Sequence, residues 1–146
     1  MKLKTASLLQ LKEIQLKKFK IEENIDGLNR FILDADFTPF EITIKNRIYK
    51  GIDFTLKINS KAKKPALKAE INMLAIFEID ENLDKRKQIK ILLYNGLSIL
   101  YGIARGMIFQ GCSILPSDYR LLPTVNIAEF VKKKMELTSS QLQKET

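Results

Sequence analysis

The chain has no histidine and a single cysteine among its 146 residues. Without histidine there is no His-based nucleophile activation, no imidazole metal ligand and no imidazole pH switch. The lone Cys112 cannot form an intramolecular disulfide, which fits a reducing cytoplasm. An unpaired cysteine reads first as a small buried hydrophobe. No phosphate-binding glycine loop is present, neither G-x-x-x-x-G-K-[ST] nor G-x-G-x-x-G after a strand. Carboxylates at Asp34 and Asp36 read as solvated surface. Those at Asp80, Glu81 and Asp84 lack the EF-hand pattern and read as the acidic start of a helix. The apolar stretch between Lys4 and Lys12 is too short for a secretory h-region, and no small-residue cleavage site follows. No internal repeat or low-complexity segment stands out.

Hydrophobic residues make up 45% and charged residues 29% of the chain, the balance of a globular domain. One domain over 1–146 is expected, burying roughly two thirds of the surface that its unfolded form exposes. The net charge of +8 favours acidic partners. The lysines are dispersed, however, in the N-terminal segment, at Lys57 to Lys68, Lys85 to Lys90 and Lys132 to Lys134, so solvated faces are the first reading.

In residues 9 to 21, LQLKEIQLKKFKI, apolar side chains fall at 9, 11, 14, 16, 19 and 21. Alternation predicts a strand, and each three-residue step predicts a β-bulge that restores the inward face. Lysines along it discourage edge-to-edge association. Residues 24 to 38 read as irregular, with a turn at Gly27, and Pro39 suits the start of a strand. Beyond it Phe40, Ile42 and Ile44 share one face. Ile52, Phe54, Leu56 and Ile58 form the inward face of a third strand, with Asn46 to Gly51 as connection, or with strand continuing through Ile48. A polar loop over 59–65 leads to a fourth strand over 67–79, with Leu67, Ala69, Ile71 and Met73 inward. Four strands with short links between the last three predict an antiparallel sheet.

Residues 85 to 110 carry apolar positions at helical spacing without proline. Within it Ile89 to Phe109 is about long enough to span a membrane, but Lys90, Asn95, Ser98, Arg105 and three glycines favour a buried helix. Ser98, Gly102 and Gly106 lie at i, i+4 and i+8. Glycine within a helix costs about 1 kcal/mol relative to alanine, so the stripe implies close packing, either on the chain's own sheet or against another subunit's helix. Pro116 and Pro123 interrupt regular helix. Asn126, with Glu129 three positions later, marks the start of a second helix to about Leu142, and the tail from about 138 is expected to fray.

The elements ILYGIAR (Ile99 to Arg105), then G-x-x-x-L-P, then LLPTVNIAEF (Leu121 to Phe130), resemble the SecB family of protein-export chaperones. LQLKEIQLKKFKIE is similar to the family's first strand, so the likeness covers most of residues 9 to 135. It agrees with the α+β class read from the spacing: a four-stranded antiparallel sheet, a long helix and a shorter C-terminal helix. The resemblance implies an ATP-independent holdase, a homotetramer built as a dimer of dimers, that keeps non-native polypeptides unfolded in apolar grooves. It implies no catalysis and no cofactor. Groove candidates are Phe37, Phe40, Ile42, Ile44, Leu121, Leu122, Val125, Ile127 and Phe130, with core burial as the competing role for each. The stripe Ser98, Gly102 and Gly106 becomes an oligomer-interface candidate. Relatives dock the translocase motor SecA through acidic residues on the sheet; Glu22 and Glu70 keep that character, while Lys18 and Lys68 depart from it. Reversed charge weakens docking of a basic partner. Relatives also serve as dedicated chaperones of antitoxins. The other function classes are a basic nucleic-acid-binding protein, which lacks aromatics interleaved with the lysine runs, and an adaptor that kept the fold and lost the groove.

Overall fold

The computed structural model describes residues 1–5 and 8–145, with side chains described as far as Thr138. Four strands, β1 (Leu9–Glu23), β2 (Leu33–Ile44), β3 (Arg47–Ile58) and β4 (Leu67–Ile79), form one antiparallel sheet in the order β1-β4-β3-β2. The α+β architecture is the one expected.

The register of β1 on β4 shifts between Leu11 and Glu13 and again between Leu16 and Lys18. These are the three-residue steps of the apolar pattern. Each bulge returns the next apolar residue to the inner face, so that Leu11, Ile14, Leu16 and Phe19 stand opposite Phe77, Ala75, Met73 and Ile71.

Strand β2 begins at Leu33, earlier than the sequence suggested, and Pro39 sits in its middle opposite Ile52. An edge strand tolerates this, because one side of its backbone has no ladder to complete. The link to β3 is only Lys45–Asn46, both at positive φ (50° and 64°), as a tight two-residue hairpin turn requires. The expected connection over Asn46 to Gly51 is therefore mostly strand.

The crossover from β1 to β2 passes over the β3–β4 loop. Leu28 bridges to Pro65 there, its amide donating to the Lys64 carbonyl and its carbonyl accepting from the Ala66 amide, and a Cβ on Gly27 would stand 2.5 Å from the Pro65 carbonyl, so glycine serves close approach. Asn59, buried at φ 55°, holds the crossover down. Its Nδ2 donates to the Arg30 and Leu67 carbonyls and its Oδ1 accepts from the Ile32 amide.

Asp84 caps α1 (Lys85–Ile91) by accepting from the Lys87 amide. The helix continues through a π-helical turn, Leu92–Gly96, into α2 (Leu97–Gly111). Lys85–Gly111 is long and apolar enough to cross a membrane by length and composition. Its apolar face is instead part of the core. Leu97, Leu100, Ala104 and Ile108 are fully buried, in one cluster with Phe54, Ile71, Met73 and Phe77. At Gly96 a Cβ would come within 2.9 Å of Ile52 Cδ1, so glycine lets the helix lie close to the sheet. A single-turn α3 (Ser117–Arg120) follows Pro116, and α4 (Ile127–Glu145) runs past the expected end near Leu142. The side chains of the tail expected to fray lie mostly outside the described residues.

Candidate peptide-binding cleft and interaction faces

The start of α4 is fixed from two sides. Asn126 Oδ1 accepts from the Glu129 amide at 3.0 Å, the N-cap that the sequence indicated. The Glu129 side chain does not close the box; it pairs with Lys133 one turn on. Upstream, the Tyr101 hydroxyl donates to the Pro123 carbonyl and Arg105 Nε donates to the Leu122 carbonyl at 2.7 Å. Burial pushes the Tyr101 phenol above its usual pKa range, against the opposing pull of Arg105, so it stays a donor. These contacts hold Leu122–Val125, which has no secondary structure of its own, against α2.

This places Val125, Ile127 and Phe130 over Leu33 and Ala35 of β2 and Phe54 and Leu56 of β3, with Tyr101 beneath. They enclose a predominantly apolar cleft of 170 Å³. The Phe130 ring meets Phe37 edge-on, with centroids 5.3 Å apart and planes at 72°. Ala35 and Phe130 also line a wider depression of 490 Å³ along the β2 edge, whose charged border is Asp34, Asp36, Lys57, Lys133 and Lys134. Lys134 Nζ bonds Asp36 Oδ1 at 2.5 Å across this rim. An apolar floor with charged margins, open along a sheet edge, suits apolar side chains projecting from an extended chain. The cleft itself is smaller than the roughly 300–1,000 Å³ of small-molecule sites.

The nine groove candidates do not gather in one place. Phe37 and Leu122 are core, 3% and 0% exposed. Val125, Ile127 and Phe130 line the cleft. Phe40, Ile42 and Ile44 share a face as expected, but it is the outer one. Phe37 pairs with inward Phe54, whereas Phe40 pairs with Gly51 and lays its ring where a Cβ on that glycine would be. Ile42 and Ile44 are 36% and 37% exposed there. Leu121, 48% exposed, adjoins Gly102 and Gly106 on the outside of α2.

That stripe faces away from the sheet. A Cβ at Gly102 or Gly106 would meet nothing within 4 Å, and Ser98 is exposed with its hydroxyl donating to the Tyr94 carbonyl. Packing of the stripe on the chain's own sheet is thus excluded. Ile14, Leu16 and Phe19 of β1 are likewise exposed on the helix side of the sheet.

Of the two acidic sheet positions, Glu70 is ion-paired and Glu22, among the described residues, is not. Glu70 binds Lys18 at 2.8 Å, with Lys57 at 4.0 Å, and the Lys18 contact lowers its pKa more than burial raises it. Glu22 is exposed and stands opposite Lys68.

Glu23, which no sequence signal marked, accepts from the amides of Ser113, Ile114 and Leu115 and from the Ser113 hydroxyl. Burial opposes its charge, but these donors outweigh that and bring its pKa down to about 2. Cys112 is buried beside it. Burial first, then the Glu23 carboxylate, push the thiol up to about 11 against the pull of Arg120, so it is no ready nucleophile.

No protein-family model matches the chain, and no curated protein matches it. Among solved structures, the chain is similar to the SecB-like chaperone of Mycobacterium tuberculosis, determined in complex with a ChAD peptide from an antitoxin. The two share 16% identity and superpose with a TM-score of 0.51 over 82% of this chain and 91% of that one. The likeness is one of fold, and the fold of this chain is SecB-like.

Proposed function

We propose that the protein is an ATP-independent holdase chaperone, not an enzyme, that binds unfolded polypeptide segments through the β2–α4 cleft. The observation that carries this reading is the half-open apolar cleft of Val125, Ile127, Phe130, Leu33 and Ala35. It is joined to a fold whose similar solved structure holds an antitoxin peptide. A holdase needs burial of apolar side chains and little else, and no cofactor enters the reading. The client is either a protein on its way to export or a dedicated one such as an antitoxin. Paired acids on the sheet favour the second, since Glu70 is already engaged by Lys18 and a SecA-type basic partner would compete with that pair. The working form in this reading is a cytoplasmic homotetramer, assembled through the exposed stripe Ser98, Gly102 and Gly106 and the apolar inner face of β1. The test is suppression of aggregation of a chemically unfolded protein without nucleotide, with solution mass measured in parallel. Unchanged aggregation at stoichiometric excess of folded chaperone would sink the proposal.

A further inference from the structure

The outer face of the sheet carries a basic corner that the holdase reading does not use. Lys20 of β1 stands opposite Glu70, Lys68 of β4 opposite Glu22, and Lys57 of β3 opposite Glu70 from the other side. The β3–β4 loop adds Lys61, Lys63 and Lys64 at the same end of the sheet. Glu70 is engaged by Lys18 and Lys57. Among the described residues, no carboxylate comes within ion-pair distance of Lys20, Lys61, Lys63, Lys64 or Lys68. Lys20, Lys57 and Lys68 surround a depression of 170 Å³, with Ser60 as a neutral donor and Glu22 and Glu70 in its walls.

We infer that this corner docks an acidic polypeptide segment, one carboxylate entering the depression between Lys20, Lys57 and Lys68 and others meeting the loop lysines. Three features favour a polypeptide over nucleic acid. No aromatic ring lines the depression to stack a base. The cations there are all lysines, without an arginine fork for phosphate. Glu22 and Glu70 stand in the walls of the depression, so a single carboxylate with lysines on three sides fits it better than a run of charged phosphates pressed against both glutamates. The corner shares no lining residue with the β2–α4 cleft, although Lys57 also borders the wider depression beside that cleft; Lys20 and Lys68 belong to the corner alone.

The experiment is anisotropy of a labelled twelve-residue peptide with glutamate at alternate positions, titrated with the full chain at about 50 and about 150 mM salt, where screening lengths differ. The expected result is saturable binding that weakens with salt. It weakens at least about tenfold, or 1.4 kcal/mol, in Lys20→Glu/Lys68→Glu, and stays unchanged in Lys85→Glu/Lys87→Glu, which alters net charge equally at the start of α1. Lys63→Gln/Lys64→Gln, in the loop, provides a second variant should the first misfold, and an intermediate loss is expected. Equal weakening in both charge-reversed variants, or no weakening in either corner variant, overturns the inference. So does tighter binding of a single-stranded oligonucleotide or of phosphatidylserine vesicles than of the peptide at about 150 mM salt. Aggregation suppression that persists in the corner variants separates this surface from the holdase cleft.

Discussion

Arg105 Nε donates to the carbonyl of Leu122 at 2.7 Å, one helical turn beyond Tyr101, whose hydroxyl donates to the next carbonyl, Pro123. The i, i+4 spacing places both side chains on one side of α2. Between them Ala104 is fully buried, leaving room for the helix to lie against the core. The ILYGIAR and LLPTVNIAEF elements, some twenty residues apart in sequence, are thus two halves of one contact. Pro123 lies within the irregular stretch between α3 and α4, and the two donors satisfy carbonyls that this segment exposes.

Removing either donor leaves a partly buried carbonyl unpaired. Tyr101→Phe should destabilise the protein by about 1 kcal/mol and Arg105→Ala by about 1–3 kcal/mol, measured by urea unfolding at fixed protein concentration. The losses should be less than additive, because both act on one segment. Additive losses would show that the two bonds hold independent parts of the chain.

Much of the fold was legible because its signals are local. The steps from Leu11 to Ile14 and from Leu16 to Phe19 announced both bulges. Asn126 announced its own cap. The alternation of Phe40, Ile42 and Ile44 correctly set them on one face, but alternation does not tell which face helices will cover. That depends on the pairing of Phe37 with Phe54, a fact of register. The start of β2 was missed although Leu33-Asp34-Ala35-Asp36-Phe37 alternates, because aspartate is disfavoured in strands and Pro39 read as a strand start. The cleft was half legible. Val125, Ile127 and Phe130 sit in a recognisable junction, whereas Leu33, Ala35 and Leu56 reach it only through tertiary packing. Asn59 and Glu23 left no local mark at all, since their partners lie far along the chain.

Glu23 gives the acid stability a specific slope. Its carboxylate has a pKa of 4.5 when free and about 2 in the folded chain. A depressed folded pKa contributes stability that is fully present above the unfolded value and is lost as pH falls toward the folded one. Stability should therefore decline between pH 4.5 and about 2, with the 113–115 loop released first. Glu23→Gln should be less stable at neutral pH and show a shallower decline across that window. Equal slopes for the two proteins in acid titration followed by circular dichroism would refute this role.

The open stripe on α2 separates folding from assembly. A Cβ at Gly102 or Gly106 meets nothing within 4 Å in the chain, and each glycine costs the helix about 1 kcal/mol relative to alanine. Gly102→Leu/Gly106→Leu should thus leave the fold intact and raise its intrinsic helix stability. It should also prevent a second helix from approaching closely and lower the mass in solution. If mass by light scattering is unchanged, the stripe is not the subunit contact.

The sheet divides the groove candidates, so a pair of variants can decide which side takes a client. Ile127 occupies the first turn of α4, where an acidic residue is compatible with the helix dipole. Ile127→Asp should fold normally yet place a charge against Leu33, Ala35 and Val125 in the cleft. Ile42→Asp puts the same charge on the outer face beside Phe40 and Tyr49. Desolvating an unpaired carboxylate against an apolar client segment costs several kcal/mol. Ile127→Asp should therefore weaken capture of an unfolded client by at least about tenfold, and Ile42→Asp should leave it unchanged. The measurement is a titration of aggregation suppression with both variants confirmed as folded. The opposite pattern would move the binding surface to the outer face, where Phe40, Ile42 and Ile44 lie; loss in both would mean that a client wraps the β2 edge and touches each side of it.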